Sequence, residues 1–146
     1  AFVGMPADSI GQPRDYRAVT AGADIDSAAS QSFTYSGVNL ETLSGVHPVG
    51  ARSAGDLTIK WQRRSRVGAA WRDNVDASLG ETSEAYEVDI MQGAVVKRTL
   101  ATSTPSVLYT SAMQVTDFGS NQSSVTVNIY QLSSVVGRGY PLGATL

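Results

Sequence analysis

The sequence contains no cysteine and a single histidine, His47. The absence of cysteine excludes disulfides, thiolate metal ligands and cysteine nucleophiles. Histidine is the usual general base near neutral pH and a common metal ligand, but here it has neither a second histidine nor a cysteine to work with. We interpret His47, at a predicted strand start, as structural or solvent-facing. We therefore expect no catalytic residue, no metal site and no cofactor.

Charge is also scarce. Charged residues make up 16% of the chain and the net charge is -2, so no positive field exists to gather nucleic acid or an anionic membrane surface. No apolar run reaches the ~18–20 residues needed to span a bilayer. The first residues lack the basic region and apolar core of a signal peptide. We expect a soluble globular chain that neither binds nucleic acid nor inserts into a membrane, and its first residues are compatible with a mature fragment.

Lysine occurs only twice, whereas serine, threonine, valine, glycine and tyrosine are abundant, which favours strands and turns. A length of 146 residues suits one domain plus a small extra element. Residues 1–45 form an irregular N-terminal segment, in which short strands predicted at 16–20 and 31–36 could pair as a hairpin. A lone hairpin is only marginally stable, so this segment must pack on the main body, residues 46–146, or on another chain.

The main body shows the period-two alternation of half-buried strands in DLTIKWQ (56–62), EAYEVDIM (84–91) and SVTVNIYQL (124–132). The positions predicted to face the core are Leu57, Ile59, Trp61, Tyr86, Val88, Ile90, Val125, Val127 and Ile129. Glu87 and Asp89 are predicted to face water.

Weaker signals place further strands at 95–101, 107–109 and 135–142, while 110–118 is open between a helical turn and a strand. Six or seven short strands without a long amphipathic helix predict an all-β fold. The specific expectation is an immunoglobulin or fibronectin type III-like antiparallel β-sandwich, preceded by a short β-hairpin-like N-terminal segment.

A long polar connection, residues 63–83, and the strand after it carry four acids: Asp73, Asp76, Glu81 and Glu84. Paired carboxylates about 5–9.5 Å apart could hydrolyse a glycosidic bond. The same loop carries arginines, however, so we favour surface ion pairs over catalysis. Such exposed pairs contribute only ~0–1 kcal/mol each.

The arginines begin in WQRRSR, where guanidinium groups could bind phosphate and an aromatic ring could stack on a base. The nearby acids cancel the positive field, and arginine and aromatic residues are enriched at protein–protein hot spots. A protein interface is therefore favoured over a nucleic-acid contact, and a plain solvated loop remains an equal alternative. The candidate interface residues are Arg63, Arg64, Arg66, Trp71 and Arg72.

Several segments, taken in order, resemble the C-terminal region of the tail-tip hub (host-specificity) proteins of siphophages and gene transfer agents. They are LSGVHPVGARSAGDLTIKWQRRSRVGAAWRD, LGETSEAYEVDI, VVKRTL, DFG and VNIYQLSSVVGRGYP, which together span about residues 40–141. The specificity lies in the ordered set rather than in any one motif. The sequence departs from the family at Gly45, where a proline usually follows the LS pair.

The resemblance implies a fibronectin type III-like domain at the distal end of a baseplate hub. Such a domain is a virion component, present in the host cytoplasm during assembly, and is typically a homotrimer around the tail axis. Its partners would be other tail-tip and baseplate proteins, and its role structural, supporting host attachment. The family's proteins are much longer, so the module is either a fragment or separately encoded.

A different class of function is a receptor- or carbohydrate-binding module of adhesin type. In that case Trp71, Tyr130 or Tyr140, in loops or at outward positions, would stack on sugar rings or contact a host receptor. Such a site needs polar groups beside the aromatic ring in a concave pocket. The two hypotheses differ in whether these aromatic residues are covered by neighbouring subunits or exposed at the tip.

Overall fold

The computed structural model describes residues 4–68, 73 and 75–146. Two of the candidate interface residues, Trp71 and Arg72, lie outside the described residues. The chain divides into two compact units, Ala1–Asn39 and Leu40–Leu146. Residues 40–45, which join the two in sequence, fall in the second unit.

The N-terminal unit is built on a two-stranded antiparallel ribbon. Its strands are β1 (Pro13–Tyr16) and β2 (Gln31–Thr34). The predicted pairing of two strands is therefore present. The first strand was predicted at residues 16–20, and this placement is wrong, because β1 already ends at Tyr16. The chain after it turns at residues 20–23, where the amide of Ala23 donates to the carbonyl of Thr20.

The second unit contains, among its described residues, eight strands and one helix. They are β3 (Val46–Ser53), β4 (Asp56–Gln62), β5 (Tyr86–Gln92), β6 (Val95–Thr102), β7 (Ser106–Tyr109), α1 (Ser111–Phe118), β8 (Thr126–Ser133), β9 (Gly137–Arg138) and β10 (Leu142–Thr145). One sheet has the order β3-β4-β7 and the other β10-β8-β5-β6, with β9 also paired to β8. The described pairings are antiparallel.

The two sheets enclose one apolar core. Its buried members are Leu57, Ile59, Trp61, Tyr86, Val88, Ile90, Tyr109, Val125, Val127 and Ile129. All nine predicted core positions are buried, and the indole of Trp61 meets the ring of Tyr86 edge to face at 5.2 Å between centroids. Burying such a side chain contributes ~1.5–3 kcal/mol. The fold is thus an all-β antiparallel sandwich of immunoglobulin or fibronectin type III kind, as predicted.

The ambiguous segment 110–118 contains the helix α1. Thr110 caps its N-terminus by accepting a hydrogen bond from the amide of Met113, and Gly119 ends it in the left-handed region at φ 82°. The predicted last strand, residues 135–142, is wrong. Two separate strands, β9 and β10, pair with β8 instead. The chain between them does not pair with β8, because it passes over residues 40–45, where the amide of Tyr140 donates to the carbonyl of Thr42.

Candidate functional site

Arg63 fastens the long loop between β4 and β5. Its Nη2 atom lies 2.6 Å from both Asp76 Oδ2 and the carbonyl oxygen of Ala77, and Nη1 donates to the carbonyl of Ser78 at 3.3 Å. Its Nε atom lies 3.8 Å from Glu84 Oε1. The guanidinium group is therefore used inside the chain, where it ties the start of the loop to its later part.

Glu84 links this arginine to the core. Its Oε1 atom accepts a hydrogen bond from the hydroxyl of Tyr86 at 2.6 Å. Burial raises the pKa of Tyr86 well above its ordinary value, and the hydrogen bond to the Glu84 carboxylate raises it further. A tyrosine in this position stays protonated and acts as a hydrogen-bond donor.

Arg66 and Arg64 are used in the same way. Arg66 donates from Nε and Nη2 to one oxygen of the nearly covered Glu81 carboxylate, at 3.1 and 3.0 Å. Arg64 donates from Nε to the carbonyl of Ser44 at 2.8 Å and from Nη2 to its hydroxyl at 2.9 Å. Three of the five candidate interface residues thus stabilise the chain itself.

The predicted ion pairs in the loop are present, since Asp76, Glu81 and Glu84 each lie beside an arginine. The fourth acid, Asp73, is exposed. His47 is also exposed, with φ of 51°, where a bulge interrupts the pairing of β3 with β4. Among the described residues, no group of three or more histidine, aspartate or glutamate side chains could hold a metal ion.

A second charged cluster, which sequence reasoning missed, lies on the outer face of the larger sheet. Arg138 donates from Nη1 to Asp89 Oδ2 at 2.6 Å, from Nη2 to Asp89 Oδ1 at 3.0 Å and from Nε to Glu87 Oε2 at 2.6 Å. Its guanidinium carbon lies 4.4 Å from the centroid of the Tyr130 ring. The alternation of β5 correctly placed both acids on this outer face.

The expectation that Asp89 faces water is wrong, because the residue is only 2% exposed. The Arg138 side chain closes over it, and Thr99 on the neighbouring strand donates to its Oδ1 at 2.6 Å. Burial alone would raise the pKa of Asp89, but the hydrogen bonds from Arg138 and Thr99 outweigh burial and lower it. The sequence signal for this arginine is GRG, in which Arg138 lies between two glycines.

A third cluster joins the helix to both sheets. Asp117 on α1 accepts from Nε and Nη2 of Arg98 at 2.7 and 2.8 Å, and from the Tyr109 hydroxyl at 2.8 Å. The hydrogen bonds from Arg98 lower the pKa of Asp117, and they outweigh the opposing effect of burial. Burial, reinforced by the hydrogen bond to Asp117, raises the pKa of Tyr109.

Residues 40–45, which we call the strap, lie against β8 and the chain that follows β9. Thr42 is buried and donates from Oγ1 to the carbonyl of Gln131 at 2.7 Å, and its own carbonyl accepts from the amide of Tyr140 at 3.0 Å. A Cβ on Gly139 would overlap Thr42 atoms. The requirement for glycine at this position comes from this close approach.

Gly45, where the sequence departs from the hub family, is the last residue of the strap. An ideal Cβ there would lie 3.1 Å from Trp61 Cδ1, 3.1 Å from the carbonyl oxygen of Gln62 and 3.4 Å from Leu142 Cδ2. The backbone at this position therefore lies directly on the edge of the Trp61 indole.

The N-terminal unit has an unusual surface. Among its described residues only Ser9 and Gly37 are buried, so it buries no large apolar side chain. Phe33 on β2 is 57% exposed although it touches the ring of Tyr16 edge to face. The other exposed large apolar residues in the described part of this unit are Val19, Ile25 and Val38.

The aromatic residues considered for sugar stacking differ from one another. Tyr130 is half-buried and lies against Arg138. Tyr140 is 47% exposed, and the third candidate, Trp71, lies outside the described residues.

Comparison with known proteins gives a structural similarity without a family. The chain is similar to domains d3-d4 of the rat CD45 extracellular region, with 10% identity and a TM-score of 0.49 over 100% of this chain and 68% of that chain. No family model and no curated protein matches the sequence. Within the described ranges, no helix is long and apolar enough to cross a membrane.

Proposed function

We propose that this chain is a non-enzymatic structural component of a phage or gene-transfer-agent tail tip. In this role the sandwich and its N-terminal unit connect other tail-tip and baseplate proteins at the distal end of the tail and support host attachment. The chain is assembled in the host cytoplasm and resides in the virion, where copies are arranged as a homotrimer around the tail axis. These partners follow from the ordered sequence resemblance over residues 40–141.

The observation that carries an assembly role is the exposed apolar surface of the N-terminal unit. A two-stranded ribbon is marginal on its own, and this one buries no large apolar side chain among its described residues. Phe33 and the other exposed apolar residues of this unit would be removed from water by a protein partner. A unit of this kind is suited to completing its packing on another subunit.

The charged residues also favour a structural role over hydrolysis. Three acids in the long loop lie beside arginines, and Asp89 and Asp117 are likewise paired with Arg138 and Arg98. Ion pairs of this kind hold the long loop and the charged side chains of the sheet in fixed positions. A glycosidase would instead require two carboxylates on either side of a bond.

The first test is mass spectrometry of purified tailed particles from the organism that encodes the chain. The proposal expects the chain at a constant ratio to the tail proteins. Its absence from particles of full length would overturn the proposal.

The matched variants are Phe33→Ser in the N-terminal unit and Val95→Ser, an equally exposed valine of the sandwich. We expect Phe33→Ser to reduce incorporation into particles while leaving the melting temperature of the isolated chain unchanged, because the side chain is exposed before assembly. Val95→Ser should be incorporated normally. Equal incorporation of both variants would show that the N-terminal apolar surface is not the assembly contact.

A receptor- or carbohydrate-binding module is the second candidate, favoured by the exposure of Tyr140. Tyrosine rings can stack on sugars when polar groups lie beside them. Binding of the isolated chain to host-surface glycans, lost on Tyr140→Ala and retained in Val95→Ser, would favour this function. Absence of binding at millimolar glycan concentration would exclude carbohydrate binding as the function.

A further inference from the structure

We propose that the strap, residues 40–45, is a hinged cover that opens locally while the rest of the sandwich stays folded. The inference concerns the sandwich itself and holds whether or not the tail-tip role is correct. It rests on what holds the strap down and on what lies beneath it.

A small set of hydrogen bonds holds the strap against β8 and the chain after β9. The Thr42 hydroxyl donates to the Gln131 carbonyl, the Tyr140 amide donates to the Thr42 carbonyl, and Arg64 donates to Ser44. The strap is not a strand of either described sheet. Releasing it therefore breaks a handful of hydrogen bonds and leaves the ladders of β4, β5 and β8 intact.

Two buried polar atoms lie in residues that the strap touches. Trp61 Nε1 and Gln131 Oε1 are buried and have no hydrogen-bond partner within the protein. Gly45 lies against the Trp61 indole at Cδ1, the atom bonded to Nε1, and Thr42 is bonded to the Gln131 backbone. An indole N–H and an amide oxygen without partners are costly in the closed state, and both gain hydrogen bonds if water enters.

The balance favours opening at this place. Opening the strap uncovers the edge of the Trp61 indole, whereas opening elsewhere in the sandwich exposes more apolar side chains and also breaks strand pairing, both of which cost free energy. At the strap, hydration of Trp61 Nε1, which is bonded to the indole atom that Gly45 covers, offsets part of the loss of the strap's hydrogen bonds.

Native-state hydrogen exchange of the full chain tests the proposal. The reporters are the Tyr140 amide and the Trp61 indole N–H, and the reference is the Val88 amide on the central strand β5. We expect the two reporters to exchange with one common opening free energy that is insensitive to low denaturant, whereas Val88 exchanges only by global unfolding. Exchange of all three with the same denaturant dependence would overturn the proposal.

Thr42→Val provides the matched perturbation, because it removes the hydroxyl donor while the Gln131 carbonyl keeps its hydrogen bond from the Gly139 amide at 3.0 Å. We expect exchange at Tyr140 and Trp61 to accelerate roughly 3- to 10-fold, the change that one net hydrogen bond produces, with a much smaller change at Val88. Thr42→Ser, which keeps the hydroxyl, should restore slow exchange.

The control is Thr126→Val, on the same strand as Gln131 but with its hydroxyl paired to Thr145 at the far end. It should leave the exchange of Tyr140 unchanged. Acceleration at Val88 equal to that at Tyr140 in Thr42→Val would mean that the strap does not open separately, and would also overturn the proposal.

Discussion

Arg138 covers the carboxylate of Asp89 on the outer face of the larger sheet, with nitrogen–oxygen distances of 2.6 and 3.0 Å. The carboxylate is buried because the arginine lies over it, and the arginine in turn is held against Tyr130. This contact ties the two-residue strand β9 to the centre of the sheet. It therefore fixes the chain directly before Gly139, the residue that packs against Thr42 of the strap.

Replacing Arg138 by methionine should destabilise the sandwich by about 1–3 kcal/mol, because the buried Asp89 carboxylate then loses its charged partner. Urea unfolding of the purified chain measures the change. The double variant Arg138→Met with Asp89→Asn should recover part of the loss, since no buried charge remains. Additive losses in the double variant would mean that the two residues do not act as a pair.

Acid should destabilise the fold through Asp89 and Asp117. Both have a pKa lowered below the ordinary value, so in the folded state they resist protonation more than in the unfolded chain, where aspartate titrates near ~3.9. Their contribution is complete above about pH 5 and is lost as the pH falls through the lowered folded pKa values. The free energy of unfolding, measured between neutral and acid pH, should decrease less steeply with falling pH in Asp117→Asn than in the unmodified chain. An unchanged slope would contradict a contribution of Asp117 to acid destabilisation.

Gly139→Ala should destabilise the sandwich by about 1–3 kcal/mol, the usual cost of overpacking. The added methyl group would lie 2.9 Å from the carbonyl carbon of Thr42 and closer still to two of its oxygens. The matched control is Gly143→Ala on β10, whose methyl group would lie 3.4 Å from Asn128 Oδ1, an ordinary contact. Thermal melting compares the two, and equal melting temperatures would show that the strap can yield without cost.

Trp61→Ala should cost about 3–5 kcal/mol, as for other large aromatic residues in a core. The indole is 4% exposed and packs on Tyr86 between the two sheets. Val95→Ala, at a position 61% exposed, is the control and should change stability little. Denaturant titration gives both values, and a loss below ~1 kcal/mol for Trp61→Ala would contradict the placement of this residue at the centre of the core.

The predicted core rests on strict alternation, which is why Leu57, Ile59 and Trp61 were all placed correctly. Each lies in a strand long enough for the period-two pattern to stand out. Tyr109 was missed because β7 has only four residues, too few to separate its two faces. The last strand was misplaced because the sequence carries no signal that the chain would cross the strap between β9 and β10.

The charged residues were harder to assign than the core. Alternation gives the face on which Asp89 lies but not what covers it, because Arg138 comes from a strand 49 residues away in sequence. The sequence shows the arginines of the long loop as a cluster but not their partners. In the structure Arg63, Arg64 and Arg66 donate to oxygens of Asp76, Ser44 and Glu81, respectively. Long-range pairing of this kind depends on the fold as a whole.

The most direct test of the tail-tip role is a cryo-electron microscopy reconstruction of the native particle at a resolution that traces the chain. The proposal predicts density for this sandwich at the distal end of the tail, with residues 4–39 packed on neighbouring tail subunits and Phe33 covered. Three copies should surround the tail axis. A particle in which the chain lies at the periphery, with Phe33 in solvent and Tyr140 directed outward, would contradict the structural role and favour receptor binding.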